Sequence, residues 1–202
     1  MTKIKFCGIK REDDIAFANI ILPEYIGFVF AKKSKRYVTP EKAAELKEKL
    51  DSRILSVGVF VNENPKKIAE LLNNKVIDLA QLHGNEDEEY IRELRNFTSN
   101  SIIKAFNVTG DNEVKSALKS TADFIMLDSP LAGSGKRFNW NLIKNITRPY
   151  FLAGGLNPEN VFGAVQTLKP YAVDVSSGIE TDGVKDFEKM KRFAAVRKLK
   201  GI

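Results

Sequence analysis

Short apolar runs alternate with amphipathic segments along the whole chain. Eight of these runs are strand-like, and most of the eight are almost continuously apolar, which is typical of strands that are buried on both faces. Between them, apolar residues recur at helical spacing, as at Ala43, Leu46 and Leu50. The pattern therefore predicts eight strands separated by helices. The predicted strands cover residues 4–6, 25–30, 54–60, 76–82, 101–105, 122–127, 150–153 and 172–175.

Three of the predicted helices begin with the same pair of residue types, a Thr or Asn followed by Pro. The polar side chain can accept hydrogen bonds from free backbone N–H groups, and Pro has a suitable φ and no N–H to leave unpaired. We expect a helix to begin at each pair, and residues 11–22 form a weaker helical pattern. The pairs are Thr39-Pro40, Asn64-Pro65 and Asn157-Pro158.

The order of the elements is compatible with two α/β folds, a closed eightfold barrel and an open doubly wound sheet. The units are regular in length, and no nucleotide-type glycine fingerprint follows the first strand. Both features favour the closed (β/α)8, or TIM, barrel, whose connections must be tight in a chain of 202 residues. No linker or shift in composition divides the chain, so we expect residues 1–202 to form a single compact domain.

The net charge of +6 is compatible with nucleic acid, with acidic small substrates or with a solvated surface. The lysines are scattered, and only residues 32–36 form a dense basic run, so we expect no nucleic-acid partner. No apolar stretch is long enough to span a bilayer, and no signal-peptide core is present, so we expect no membrane partner. A single cysteine cannot form an internal disulfide, which fits a reducing cytoplasm.

Polar and glycine-rich positions follow nearly every predicted strand. In a barrel of parallel strands, the carboxyl ends of the strands meet at one rim, where the active site is built. The convergence of these positions on one rim is a stronger signal than any single motif. They are Cys7-Gly8, Lys32 to Arg36, Phe60 to Asn62, Gln81 to Gly84, Lys104 to Phe106, Asp128 to Pro130, Gly154-Gly155 and Asp174 to Gly178.

Two late loops have the composition of an anion site. Gly154 and Gly155 let backbone N–H groups approach an oxyanion with no Cβ in the way. Ser176, Ser177 and Gly178 add hydroxyl and N–H donors, which can lie at a helix start where the dipole favours anions. Phosphate sites in such barrels often come from the seventh and eighth loops. Each loop alone also fits a plain turn, but together they predict a bound phosphate ester.

Three titratable side chains at the rim leave several roles open. Cys7 fits a small buried hydrophobe, or a thiolate that acts as base or nucleophile. A nucleophilic cysteine would usually need a histidine partner, and His83 is the only histidine in the chain. Asp128 fits a helix cap or a general acid. The pattern alone does not choose among these roles.

Six strings of residues carry a family resemblance: KFCGI (5–9), GFVFAKKSKRYV (27–38), QLHG (81–84), LDSPLAGSGKRFNW (127–140), LAGGLNPENV (152–161) and VDVSSGIE (173–180). In this order they resemble the phosphoribosylanthranilate isomerase family of tryptophan biosynthesis. Each string is modestly specific, whereas the six together are very specific, and they cover essentially the whole chain. The family's fold is the eightfold barrel, in agreement with the hydrophobic pattern.

The resemblance implies an Amadori rearrangement of N-(5-phosphoribosyl)anthranilate to its 1-deoxyribulose form, without a metal or an organic cofactor. It implies that Cys7 is the general base, that Asp128 is the general acid and that Arg36 binds the anthranilate carboxylate. A guanidinium fork suits a planar carboxylate better than a lysine does. It also implies that Asp174 binds a substrate hydroxyl and that His83 lines the pocket. The residues implied to bind the phosphate are Gly154, Gly155, Ser176, Ser177 and Gly178.

The same resemblance implies a phosphosugar-anthranilate substrate as the partner, and a monomer or a homodimer. The nearest alternative is a related phosphate-binding barrel enzyme of tryptophan or histidine biosynthesis. A barrel that binds a phosphate ester without turnover is the second alternative, and a nucleic-acid binder is the third. Cys7 and Asp128 stand where the isomerase family has them, which favours the isomerase over the first two. The scattered lysines disfavour the third.

Overall fold

Eight parallel strands close into a barrel in the order in which they occur along the chain. The computed structural model describes residues 1–129, 139–143 and 146–198. Each strand pairs with its neighbour in sequence, and the last pairs with the first to close the sheet. The predicted α/β barrel is thereby confirmed. The strands are β1 (Lys3–Cys7), β2 (Tyr25–Val29), β3 (Leu55–Phe60), β4 (Leu79–Leu82), β5 (Ile102–Asn107), β6 (Phe124–Asp128), β7 (Tyr150–Leu152) and β8 (Ala172–Val175).

Helices connect most of the strands, and none in the described ranges combines the length and apolar character needed to cross a bilayer. Between β6 and β7 the described residues contain a 3₁₀ turn, Trp140–Ile143. Residues 130–138 of the fourth quoted string lie outside the described residues. The helices are α1 (Glu12–Ile21), α2 (Pro40–Glu48), α3 (Pro65–Asn73), α4 (Glu88–Arg95), α5 (Asp111–Lys119), α6 (Val161–Leu168) and α7 (Phe187–Ala194).

Two of the three predicted helix starts are confirmed. Thr39 caps α2 and Asn64 caps α3, each through a side-chain oxygen that accepts a hydrogen bond from a backbone N–H. The third expectation is wrong, because α6 begins only at Val161. The side-chain oxygen of Asn157 accepts hydrogen bonds from the backbone N–H groups of Glu159 and Asn160, and this closes a turn that precedes the helix.

Apolar side chains fill the inside of the barrel as well as the space between sheet and helices. The interior cluster packs around Phe151, which is fully buried and contacts Tyr25 with the two rings tilted by 58° and 5.4 Å apart. A smaller interior cluster, made by Cys7, Val29 and Val59, lies at the carboxyl ends of the strands. The barrel interior is therefore a packed core rather than a pore, and a site can form at its rim.

After β8 the chain forms a 3₁₀ turn, Ser177–Ile179, and a short hairpin before it enters α7. The hairpin consists of β9 (Glu180–Thr181) and β10 (Val184–Lys185). The two charged residues of its strands, Glu180 and Lys185, point back towards the rim, where Glu180 accepts from Arg36 in the loop after β2 and Lys185 donates to the Ser176 carbonyl oxygen after β8. The hairpin thus adds side chains to the site that no barrel strand supplies.

Candidate active site

A cavity of about 280 Å³ opens at the carboxyl ends of the strands. All of the predicted site residues except Gly178 line it. Gly178 lies behind the cavity, where a Cβ would stand 2.0 Å from the Leu156 carbonyl oxygen, so the two late loops pack tightly against each other. The predicted residues that line the cavity are Cys7, Arg36, His83, Asp128, Gly154, Gly155, Asp174, Ser176 and Ser177.

Cys7 is the last residue of β1 and faces the cavity. Burial raises the pKa of its thiol, and the positive charge of Lys5 opposes this rise only in part. The next residue, Gly8, has a φ of +80°, and a Cβ there would lie 2.3 Å from Cδ of Arg36. Glycine at this position therefore lets the chain turn sharply after Cys7 and leaves room for the arginine.

Arg36, in the loop after β2, is held by a carboxylate from the hairpin. Its Nε and Nη2 each donate a 2.6 Å hydrogen bond to Glu180, one to each carboxylate oxygen. Lys185 donates a further hydrogen bond to Glu180, at 2.7 Å. Burial alone would raise the pKa of Glu180, but the hydrogen bonds and charges of Arg36 and Lys185 outweigh burial and lower it to about 2. The guanidinium is thus fixed along one edge, and its Nη1, which has no hydrogen-bond partner among the described residues, can bind an external anion.

Asp128 is the last residue of β6, and both of its carboxylate oxygens have partners. Oδ1 accepts a 2.7 Å hydrogen bond from the Ser129 N–H, and Oδ2 lies 3.1 Å from Nε2 of His83. Nδ1 of His83 lies 2.8 Å from the side-chain nitrogen of Gln81. Because an amide nitrogen only donates, Nδ1 accepts, and the imidazole proton lies on Nε2 towards Asp128. Gln81, His83 and Asp128 therefore form one chain of hydrogen bonds.

A buried charge pair connects β1 and β8 beneath the rim. Lys5 donates a 2.8 Å hydrogen bond to Oδ1 of Asp174. The pairing follows from the strand register, because the two residues stand opposite each other in the parallel β1–β8 ladder. Lys5 is fully buried, whereas Asp174 is 9% exposed and also lines the cavity. Asp174 therefore links the barrel interior to the site.

The two late loops line the cavity with residues whose backbone N–H groups are largely unused within the described part of the chain. Gly154 and Gly155 have φ values of +87° and +68°, which glycine adopts without strain. In the part of the chain that the structure describes, no hydrogen bond uses the N–H groups of Gly154, Gly155 or Ser177. These donors can therefore bind an anion without breaking any contact within the described residues.

Several side chains that shape the site escape the sequence analysis, namely Lys5, Gln81, Glu180 and Lys185. The first three lie inside quoted strings, and Gln81 also stands among the predicted rim positions, whereas Lys185 had no signal in the sequence. Among the described residues, no group of three or more His, Cys, Asp or Glu side chains could hold a metal ion.

The comparison with protein families identifies the chain. Residues 4–196 match the family model of N-(5'-phosphoribosyl)anthranilate isomerase. The chain belongs to this family. The isomerase of Clostridium acetobutylicum is 48% identical over 209 aligned positions, which cover 99% of this chain and 100% of that protein. The predicted family resemblance is thereby confirmed.

Solved structures of the isomerase family have the same fold over nearly the same length. One is a monomeric form of the dimeric enzyme of Thermotoga maritima, with 38% identity and a TM-score of 0.87, and 98% of this chain and 99% of that chain covered. Another is an isomerase in complex with reduced 1-(o-carboxyphenylamino)-1-deoxyribulose 5-phosphate. It shares 37% identity with a TM-score of 0.85, and covers 98% of this chain and 99% of its own.

Proposed function

We propose that this chain converts N-(5'-phosphoribosyl)anthranilate to 1-(2-carboxyphenylamino)-1-deoxyribulose 5-phosphate by an acid–base rearrangement. As a member of its family the protein is an isomerase of tryptophan biosynthesis. One observation supports the residue roles: a cysteine, an aspartate–histidine pair, an arginine and two loops with available N–H donors surround one cavity. A related isomerase binds the reduced form of this product, which supports the same class of ligand here.

The order of the strands supports a phosphate site between the acid and the base. Asp128 ends β6 and Cys7 ends β1, while β7 and β8, with their glycine- and serine-rich loops, lie between them. A phosphate bound to these loops would direct the sugar's first two carbons towards both side chains. Anchoring a remote group in this way supplies the positioning on which much of the rate enhancement depends.

In the first step, Asp128 donates a proton to the ribose ring oxygen. The bond between this oxygen and C1 breaks, and the anthranilate nitrogen forms a protonated Schiff base with C1. His83 acts as the orienting partner, because its Nε2 lies 3.1 Å from Oδ2 of Asp128 and donates a hydrogen bond that fixes the carboxyl group. Since His83 also lines the cavity, we propose that it contacts the substrate as well.

In the second step, the Cys7 thiolate removes the proton from C2 of the sugar. The adjacent iminium makes this C–H bond acidic, so the electron pair forms a C1–C2 double bond and the nitrogen becomes neutral. The resulting enolamine tautomerises to the ketone, while Asp174 can accept a hydrogen bond from a substrate hydroxyl. Because these steps need only proton donors and acceptors, we propose that no metal or organic cofactor takes part.

Arg36→Met is expected to raise KM at least about tenfold and to lower kcat much less. The anthranilate carboxylate would lose a charge-assisted hydrogen bond, worth about 1.5–3 kcal/mol, in both the bound substrate and the transition state. Steady-state kinetics measure both constants. Arg53→Met is a matched control, because the side chain of this exposed arginine pairs, within the described ranges, only with Asp51, and the variant should leave both constants unchanged. An unchanged KM in Arg36→Met would contradict the carboxylate role.

A turnover assay tests the function as a whole. The substrate is generated in situ from anthranilate and a phosphoribosyl donor, and its consumption is followed by fluorescence. We expect the purified protein to consume the substrate, and carbon NMR to detect the product's ketone. A folded protein that binds inorganic phosphate but leaves the substrate unchanged would contradict the isomerase and favour a binding module.

We propose further that residues 1–202 form one domain in the cytoplasm. The strands of one closed sheet run from Lys3 to Val175, and the family match extends to residue 196. A monomer or a homodimer remains the expectation, and the related Thermotoga maritima enzyme is described as dimeric. The expectation of no nucleic-acid partner is tested by measuring whether the protein retains DNA at low salt.

A further inference from the structure

Lys5 is a fully buried cation inside the barrel, and it takes part in neither of the two proposed catalytic steps. Removing an ammonium group from water is costly, and an ion pair with a carboxylate only partly compensates for this cost. Apolar side chains of similar size in place of a buried ion pair are often at least as stabilising. Stability alone therefore does not explain why the barrel buries Lys5 against Asp174.

Lys5 lies close to the sulfur of Cys7. Side chains two residues apart on a strand share one face, so both point into the barrel from β1. Their ends meet beside Gly27 on the neighbouring strand, where a Cβ would stand 2.9 Å from Sγ of Cys7 and 3.2 Å from Nζ of Lys5. The sulfur and the ammonium nitrogen are therefore at most about 6 Å apart, a range in which opposite charges stabilise each other.

We propose that Lys5 is a positioning residue of the isomerase reaction and that its buried ammonium stabilises the thiolate form of Cys7. The inference rests on the proposed role of Cys7 as the base. Lys5 acts through Cys7 and needs no contact with the substrate. Asp174 has a second task in this arrangement, because its 2.8 Å ion pair fixes the ammonium below the sulfur.

The charges that face Cys7 support this role. Burial raises the pKa of the Cys7 thiol, Lys5 is the foremost charge that lowers it, Asp174 raises it and Lys185 lowers it. The guanidinium of Arg36 also interacts with the thiolate. Burial would lower the pKa of Lys5, but the charges of Asp174 and Cys7 outweigh burial and raise it, so the ammonium stays charged. Burial lowers the pKa of Lys185, whereas the pKa of Lys5 is raised, so Lys5 keeps its positive charge to higher pH than Lys185 does.

The ionisation of Cys7 can be measured without substrate, because it is the only cysteine in the chain. Thiolate absorbance near 240 nm and the rate of alkylation by iodoacetamide are followed as functions of pH. In Lys5→Met we expect the thiol to ionise at least about one pH unit higher than in the wild type. Alkylation at pH 8 should then be about tenfold slower, since the thiolate fraction changes tenfold per pH unit.

A double variant and a control variant separate the effect of the Lys5 charge from misfolding and from nonspecific effects of a lysine substitution. Lys5→Met/Asp174→Asn removes both charges, so no unpaired carboxylate is buried if the single variant folds poorly. Its alkylation should still be slower than in the wild type, because Lys5 influences Cys7 more strongly than Asp174 does. Lys3→Met is the matched control on the same strand, since Lys3 donates to the Tyr171 hydroxyl, and it should alkylate at the wild-type rate.

The pH profile of kcat/KM separates an electrostatic role from a structural one. We expect both Lys5 variants to lose at least about tenfold in activity at pH 7.5 and to recover part of it at higher pH, where the thiol ionises without help. Wild-type alkylation in both variants, or an equal loss of activity at every pH, would overturn the inference. The proposed function would fail through a different result, namely full activity of Cys7→Ala. That result would not affect the measured thiol ionisation in Lys5→Met, so the two failures can be told apart.

Discussion

Replacing Cys7 with alanine is expected to lower kcat at least about a hundredfold and to leave KM within about threefold. A general base typically contributes about 10²–10⁴-fold to the rate, and the proposed base is lost while the phosphate loops and Arg36 still bind the substrate. The small side chain that replaces the thiol leaves the surrounding apolar cluster in place. The fluorescence assay measures the loss, and activity within tenfold of the wild type would assign the base to another group.

Alkylation provides an independent measurement on the same residue. Iodoacetamide should inactivate the wild-type enzyme as it modifies Cys7, and inorganic phosphate together with anthranilate should slow this modification. The residual activity of Cys7→Ala should be insensitive to the reagent, which makes this variant the control. Because burial raises the pKa of the thiol, we also expect kcat/KM to increase with pH above neutrality, as more of the free enzyme carries the thiolate.

The strands could be predicted from the sequence because most of them are nearly continuous apolar runs, but the runs do not fix where a strand begins. The apolar pattern of the fourth strand starts at Val76, whereas β4 begins at Leu79. Lys75 has a φ of +59°, and the N–H groups of Val76 and Ile77 donate to the Leu71 carbonyl oxygen. Val76 and Ile77 therefore complete the turn that ends α3, and their hydrophobicity serves packing rather than the sheet.

The side chains at the rim could be predicted, whereas their partners could not. Fold and family place Arg36 at the rim, but its orientation depends on Glu180, which is 144 positions away in the sequence. Lys5 and Asp174 are 169 positions apart and meet only because β8 closes the barrel on β1 in one register. Local spacing carries no information on such pairs. The sequence therefore predicts the residues proposed to act on the substrate, but not the charged partners that orient them or shift their pKa values.

Asp128→Asn is expected to lower kcat at least about a hundredfold with little change in KM. The amide cannot donate a transferable proton to the ring oxygen, yet it has almost the same shape and can still accept the hydrogen bond from the Ser129 N–H. Asp123→Asn is a matched control, because this carboxylate lies at the opposite end of β6, pairs with Arg95 and should leave turnover unchanged. Full activity in Asp128→Asn would remove Asp128 from the proton-donating role.

The hydrogen-bond partner of Asp128 gives this prediction a spectroscopic part, since His83 is the only histidine in the chain. Gln81 donates to Nδ1, so nitrogen-15 spectra of the neutral ring should show the proton on Nε2, towards Asp128. Oε1 of Gln81 has no hydrogen-bond partner among the described residues, so the contact with Nδ1 is made by the amide nitrogen of Gln81.

Gln81→Met removes both the donor and the acceptor and should therefore leave His83 in a mixture of tautomers. A ring that carries its proton on Nδ1 cannot donate to Asp128, so we expect kcat to fall about tenfold or more while KM changes little. If the spectra of Gln81→Met still showed the Nε2–H form alone, the tautomer of His83 would depend on Asp128 and not on Gln81. The proton-donating unit would then consist of Asp128 and His83, without Gln81.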